Sequence, residues 1–319
     1  MLKYRLMSGT SIIALLIFTT IYSNSVLGFC LVTVSVALIA SLALLEFYNM
    51  MQKKGMEPMV RYGLYSSIAF IFITALNSCD WYTNNYSIFE NLLVIANVLA
   101  IPLFIIVAFV LLVFTNKVEN GISRLLSTLG GFFCITLLLS YVLKILLSNY
   151  NVSSQELDKN IVIDGRYMFL YFVVTVKSTD IGAYFIGTLI GKKRLCPNIS
   201  PKKSVEGSIG GVLFSVILGM LLFFTVEPIN DVFLKVATLF NASLSTTKII
   251  AAIIALSLNI VLSILGQIGD LIESIWKRDA EIKDSASYIP GMGGVCDVID
   301  SLLLPAPLMY AFIIFTMSI

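Results

Sequence analysis

Long apolar runs follow one another along this chain and leave little room for any architecture but a bundle of membrane helices. A helix crosses a bilayer with about 20 mostly apolar residues, since its backbone polar groups must be satisfied within the segment. Suitable runs cover approximately 8–23, 26–48, 60–77, 92–114, 122–147, 167–190, 208–226, 248–269 and 299–318. The sequence therefore predicts an all-α integral membrane protein with about nine transmembrane helices. Of the 319 residues 58% are hydrophobic and only 13% charged, and no polar stretch is long enough to form a soluble domain.

Lysine and arginine set the orientation. With the N-terminus in the cytoplasm, fifteen of the 21 cations lie on the cytoplasmic side. They are Lys3, Arg5, Lys53, Lys54, Arg61, Lys117 and Arg124, five in loop 191–207 and three in loop 270–298. Lys159, Arg166, Lys235 and Lys248 fall on the other side, and Lys144 and Lys177 lie within spans. Lys3 and Arg5 ahead of an apolar run imitate a signal peptide, but the many spans that follow favour an uncleaved first helix. The net charge of +2 gives no sign of nucleic-acid binding.

The chain has no histidine, which excludes Ser-His-Asp hydrolysis, HExxH zinc chemistry and histidine phosphotransfer. Its five cysteines, Cys30, Cys79, Cys134, Cys196 and Cys296, are far apart and form no CxxC pair, so neither a metal cluster nor a disulfide framework is expected. Acid–base and metal work falls to Asp, Glu, Lys and Tyr.

The first five spans carry little chemistry. Glu46 near a helix end suggests only snorkelling or pairing, and the polar stretch 149–165 reads as a connector. In the sixth span Lys177 and Asp180 are three apart and share a face, as either a structural ion pair or part of a site. Gly187 and Gly191 form a GxxxG spacing, which marks close helix packing. Ser200, Lys202, Lys203, Ser204, Glu206 and Gly207 follow. A lysine pair among hydroxyls, ahead of a glycine-rich helix start, suits phosphate oxygens. The alternative for this loop is a topogenic signal or a contact for anionic headgroups. No Walker A motif is present.

Most of the clustered charge lies between Gly269 and Asp300. Asp270, Glu273, Ser274 and Lys277 recur at helical spacing, and Asp297 and Asp300 are again three apart. Pro290, Gly291, Gly293 and Gly294 force a break between the two sides, so the chain can fold back and bring Asp270 towards Asp297 and Asp300. Carboxylates without histidine or cysteine suit Mg²⁺ or Mn²⁺, and Lys277, Arg278 and Lys283 would then meet phosphates. A solvated amphipathic loop is the plain alternative.

This segment resembles the signature of the phosphatidate cytidylyltransferases (CDP-diacylglycerol synthases). Ser274, Lys277, Arg278, Lys283, Asp284, Ala286, Ile289, Pro290, Gly293, Gly294, Val295, Asp297, Ile299 and Asp300 fall on it. Thr179 to Tyr184 and Pro197 to Gly207 match the family's upstream pattern, with Ser204 in place of threonine. Met292 stands at the histidine position, Val298 at the arginine position and Trp276 at an aliphatic one. The resemblance runs from about residue 90 to the end, dividing the chain into N-terminal transmembrane helices, 1–90, and a catalytic region, 91–319, with cytoplasmic loops 191–207 and 270–298.

The resemblance implies transfer of a cytidylyl group from CTP to phosphatidate at the cytoplasmic boundary of a bacterial-type inner membrane. Its cofactor would be Mg²⁺, with a monovalent cation as a candidate companion; a homodimer is an open state. Catalytic roles are implied for Asp270, Lys277, Lys283, Asp284, Asp297 and Asp300, with Asp270, Asp297 and Asp300 on the metal. Substrate binding is implied for Ser200, Lys202, Lys203, Glu206, Ser274, Arg278, Gly293 and Gly294. The rival readings are a secondary transporter, since Asp180 and Asp270 could mark an ion path, and a CTP-dependent enzyme acting on another lipid phosphate.

Overall fold

Uninterrupted apolar sequence favours helix because every main-chain hydrogen bond closes within the segment. A computed structural model of the protein follows the apolar runs closely and describes residues 25–78, 87–115, 119–154, 159–289 and 293–319. Helix α1 is Val26–Lys53, α2 Val60–Asn77, α3 Ser87–Phe114 and α4 Gly121–Leu147, the last with a π-helical segment at Phe132–Leu137. Strands β1 (Asn149–Ser154) and β2 (Lys159–Asp164) pair antiparallel. Helix α5 (Gly165–Ile190) leads through β3 (Arg194–Cys196) and β4 (Ser200–Ser204) into α6 (Val205–Thr225). Helices α7 (Glu227–Thr238), α8 (Leu244–Asp279), α9 (Cys296–Leu303) and α10 (Ala306–Ser318) complete the chain.

Among the described residues six helices are long and apolar enough to cross a membrane: α1, α3, α4, α5, α6 and α8. Helices α9 and α10 make a seventh if taken as one span, bent by 43°. Pro305 and Pro307 at the junction account for the bend, since proline lacks the N–H that an unbroken helix needs. Helix α2 forms over 18 residues as expected but is less apolar than these six, and the expected span 8–23 lies outside the described residues. The stretch read as a connector, 149–165, is a β-hairpin that runs directly into α5. Its main chain pairs with itself, so a polar segment acquires order without a core of its own.

The chain divides into two units. The first holds the described residues up to Leu147 together with Ile275–Ile299. Its centre is Tyr48 of α1, fully buried, whose hydroxyl donates to the Thr128 carbonyl at 3.2 Å. Glycines admit its ring on both sides: a Cβ at Gly63 of α2 would overlap the hydroxyl, and one at Gly131 of α4 would stand 2.6 Å from the ring. Nearby, Phe132 in the π segment stacks on Phe104 at 3.9 Å and meets Phe70 edge-on at 5.3 Å.

The second unit holds Ser148–Ser274 and Asp300–Ile319. Here α5 and α6 touch backbone to backbone through glycines. A Cβ at Gly211 would lie 2.6 Å from the Thr179 carbonyl oxygen, and one at Gly207 2.8 Å from that of Ala183. Buried polar side chains bind α8 to this pair. Thr175 donates to Asn259 at 2.9 Å, Asn259 to the Tyr171 hydroxyl at 2.8 Å, and Thr179 shares a hydrogen bond with Ser263 at 2.8 Å. Small residues and interhelical hydrogen bonds are what hold helices together in lipid, where apolar burial alone gives no net drive. Gly211→Val should therefore destabilise the protein by about 1–3 kcal/mol through overpacking, read as a lowered unfolding midpoint in detergent, whereas Leu213→Val on the exposed face of α6 should leave the midpoint nearly unchanged.

Candidate active site

In the second unit, α5, β4, α8 and α9 bring acids and lysines together. Lys177 and Asp180 are one turn apart on α5, with nitrogen and oxygen at 3.8 Å. Ser301 of α9 links them, accepting from Lys177 at 2.7 Å and donating to Asp180 at 3.0 Å. Asp270 of α8 pairs with Lys203 of β4 at 2.5 Å. Asp300 lies within electrostatic reach of Asp270, Lys177, Glu273 and Asp180. Gly269 permits this approach, because a Cβ there would be 2.6 Å from the Asp300 carbonyl oxygen. Asp300 thus has three acids and the Lys177 ammonium within reach, Asp270 also carries Lys203, and acid is in excess.

That excess and its all-oxygen character fit a hard divalent cation such as Mg²⁺. Among the described residues, no three acidic or thiol groups are arranged to hold an ion as they stand, so ligation would require the acids to turn from their present lysine and serine partners.

The glycine-rich hairpin belongs to the first unit. Helix α8 ends with the Ile282 N–H donating to the Lys277 carbonyl at 2.9 Å and Glu281 in the left-handed region at φ 57°. This is a helix-terminating turn that usually takes glycine. Lys277 projects onto Asp297 at 2.5 Å, with side chains only 11% and 12% exposed. The other Asp297 oxygen accepts from the Ser285 N–H at 3.1 Å, the Ser285 hydroxyl at 2.8 Å and the Gly294 N–H at 2.8 Å. Gly293, at φ 96°, pairs with Ile289 and closes the loop. Trp276 packs edge-on against Phe47 at 5.2 Å, a packing role for that family departure. Pro290, Gly291 and Met292 lie outside the described residues.

The structure brings Asp270, Asp300 and Lys203 together in one unit, and Lys277, Asp297, Gly293 and Gly294 in the other. Arg278, Lys283 and Asp284 are exposed around the end of α8 and the start of the hairpin, and Arg278 donates to the Ile282 carbonyl at 3.3 Å. Ser274 is buried on α8, Ser200 half-buried at the start of β4, and Lys202 exposed beside it. Glu206 accepts from the backbone N–H groups of Lys192 at 3.0 Å and Lys193 at 3.2 Å, bracing the basic loop. Ser204 caps α6, accepting from Gly207 at 3.1 Å.

Sequence reasoning missed Glu46. Fully buried on α1, it accepts from the Val295 N–H at 2.7 Å, the Cys296 N–H at 2.8 Å and the Ser285 hydroxyl at 2.8 Å. It read Asp180 with Lys177 as either a structural ion pair or part of a site, and set it beside Asp270 only in the transporter reading. The signal for Glu46 was a charged residue inside an apolar run; Asp180 also falls within Thr179–Tyr184, which matches the family's upstream pattern.

Residues 3–316 match the cytidylyltransferase family, nearly the whole chain. The chain belongs to that family. A protein of Staphylococcus haemolyticus named phosphatidate cytidylyltransferase is 32% identical over 306 residues, covering 96% of this chain and 97% of its own. Proteins of that name from Bacillus subtilis and Chlamydia muridarum are 36% identical over 163 residues and 38% over 154, each about half of either chain. Family membership makes this a nucleotidyltransferase, and its helices make it a multi-pass membrane protein.

The two lysine–aspartate pairs differ in how far they are withdrawn from water. Lys277→Met should cost about 3–5 kcal/mol by stranding Asp297. Lys203→Met, beside an Asp270 that is 26% exposed, should cost about 1 kcal/mol or less. Unfolding midpoints of the two variants in the same detergent check the order.

Proposed function

We propose that this chain transfers the cytidylyl group of CTP to phosphatidate, giving CDP-diacylglycerol and pyrophosphate. The observation that carries the reading is the acid and lysine group around Asp270 and Asp300, built from the segments where the family resemblance is strongest. An oxygen of the phosphatidate monoester attacks the α-phosphorus of CTP, the bond to the β-phosphate breaks, and pyrophosphate leaves. The attacking monoester is already anionic at neutral pH, so a chain without histidine can support the reaction. The work left to the protein is positioning and neutralising phosphate charge.

Asp270 and Asp300 would hold Mg²⁺, with Asp180 beside them; Asp297, which the resemblance also assigns to the metal, is held by Lys277 and by hairpin donors. The bound ion supplies positive charge to the triphosphate, and a monovalent cation is a candidate second occupant of the same acidic group. Lys277, Arg278 and Lys283 bind the triphosphate, with Asp284 at the loop edge and the backbone of Gly293 and Gly294 shaping the turn. Ser200, Lys202 and Lys203 take a second phosphate, on the lipid or the nucleotide, with Ser274 as a further binding residue that the resemblance implies, and Glu206 holds their loop.

The cation distribution supports nine spans with the N-terminus inside, and hence loops 191–207 and 270–298 on the cytoplasmic face, where CTP is available. Residues 91–319 then form the catalytic region and residues 1–90 the helices that precede it. A transporter reading has no support in the family match.

Purified protein should incorporate label from [α-³²P]CTP into chloroform-soluble lipid only with phosphatidate and Mg²⁺ present. Asp270→Asn and Asp300→Asn should each lower that rate at least about 100-fold while eluting as folded protein. Near-normal turnover by either would remove the metal assignment.

A further inference from the structure

We infer that Glu46 is a positioning residue for the reaction: from α1 it clamps the glycine-rich hairpin and, through Ser285 and Asp297, fixes the ammonium of Lys277. The inference rests on the reading of that hairpin as part of the triphosphate site.

A fully buried carboxylate within an apolar helix is retained only where donors converge on it. Three do so here. Two are the N–H groups of Val295 and Cys296, at the start of α9, where the first turn of any helix has no internal partners. Neither Gly294 nor Val295 has a side chain able to cap this helix, so the cap comes from a residue 249 positions away, and its negative charge faces the positive end of the helix dipole.

The third donor carries the effect onward. The Ser285 hydroxyl, 2.8 Å from Glu46 and 2.8 Å from Asp297, shares its one hydrogen between the two carboxylates, and the other Asp297 oxygen holds Lys277 at 2.5 Å. Gly294 is part of the same fit: a Cβ there would collide with both the Ser285 hydroxyl and the Glu46 carboxylate. A continuous path Glu46–Ser285–Asp297–Lys277 therefore runs from an N-terminal helix to a proposed phosphate-binding cation. Glu46 is remote from substrate and acts only through this path.

Glu46→Gln keeps the shape but turns an amide N–H₂ towards donors it cannot satisfy, Glu46→Asp keeps the charge one methylene short, and Ser285→Ala cuts only the link. The test measures steady-state kinetics for each substrate, and hydrogen exchange of peptides covering residues 285–296, in detergent-solubilised full-length protein. Glu46→Gln and Ser285→Ala should raise KM for CTP about tenfold and leave KM for phosphatidate within about twofold. Combined, they should cost less than the product of the two single effects. Glu46→Asp should recover part of the loss, and exchange should be faster in Glu46→Gln. If Glu46→Gln shows unchanged exchange and an unchanged KM for CTP, the inference is overturned. Where Glu46→Gln loses the folded peak, Ser285→Ala reads the path without disturbing the cap, and an unchanged KM for CTP in Ser285→Ala then overturns the inference. Lys277→Ala separates the two levels. Impaired Lys277→Ala beside normal Glu46→Gln and Ser285→Ala refutes this inference alone. A wild-type KM for CTP in Lys277→Ala refutes the triphosphate reading of the hairpin and the positioning role with it.

Discussion

Withdrawing a carboxylate from water costs several kcal/mol unless donors or cations replace its hydration, and that requirement organises this protein more than apolar packing does. Apolar helices in lipid have many equivalent ways to lie side by side, because lipid tails compete on equal terms with leucine. Acids do not have that freedom. Asp270 pairs with Lys203, Asp180 draws on Lys177 and Ser301, and Asp297 gathers Lys277, Ser285 and Gly294. Each of these sets fixes the elements that supply it, and the glycines at 269, 293 and 294 are where backbone gives way so that it can close.

The parts of the fold read correctly from sequence are those governed by local physics. Apolar run length gave the long helices, the lysine and aspartate at 177 and 180 gave their pair, and the GxxxG spacing marked where Gly187 meets the Gly207 backbone, 3.5 Å from a Cβ added there. The β-hairpin at 149–164 was passed over because its order is main-chain pairing, to which the polar side chains contribute little periodic signal. Glu206, assigned to substrate binding by the resemblance, also accepts from the backbone N–H groups of Lys192 and Lys193, a contact that its place in sequence does not announce.

The acidic group shows the same limit. Spacing placed Asp297 and Asp300 on one helix and suggested a common task. The structure has them on the same helix with different partners, Asp297 bound to the hairpin and Asp300 under the influence of Asp180, Asp270 and Glu273. Three-residue spacing specifies a helix face but not what that face meets. Glu46 is the extreme case, since the residues it serves are some 250 positions further along and nothing near it in sequence anticipates them.

Tyr48 sits between Gly63 and Gly131, with its ring filling the space where either would carry a side chain. The three positions are therefore not independent under mutation. A larger residue at 63 or 131 is admissible only after the ring at 48 has been reduced, and reducing it first opens a void beneath two helices. Either order passes through a less stable protein, so drift at this crossing proceeds by coupled replacement or not at all. Among distant members of the family, the residues at these three positions should change as a set.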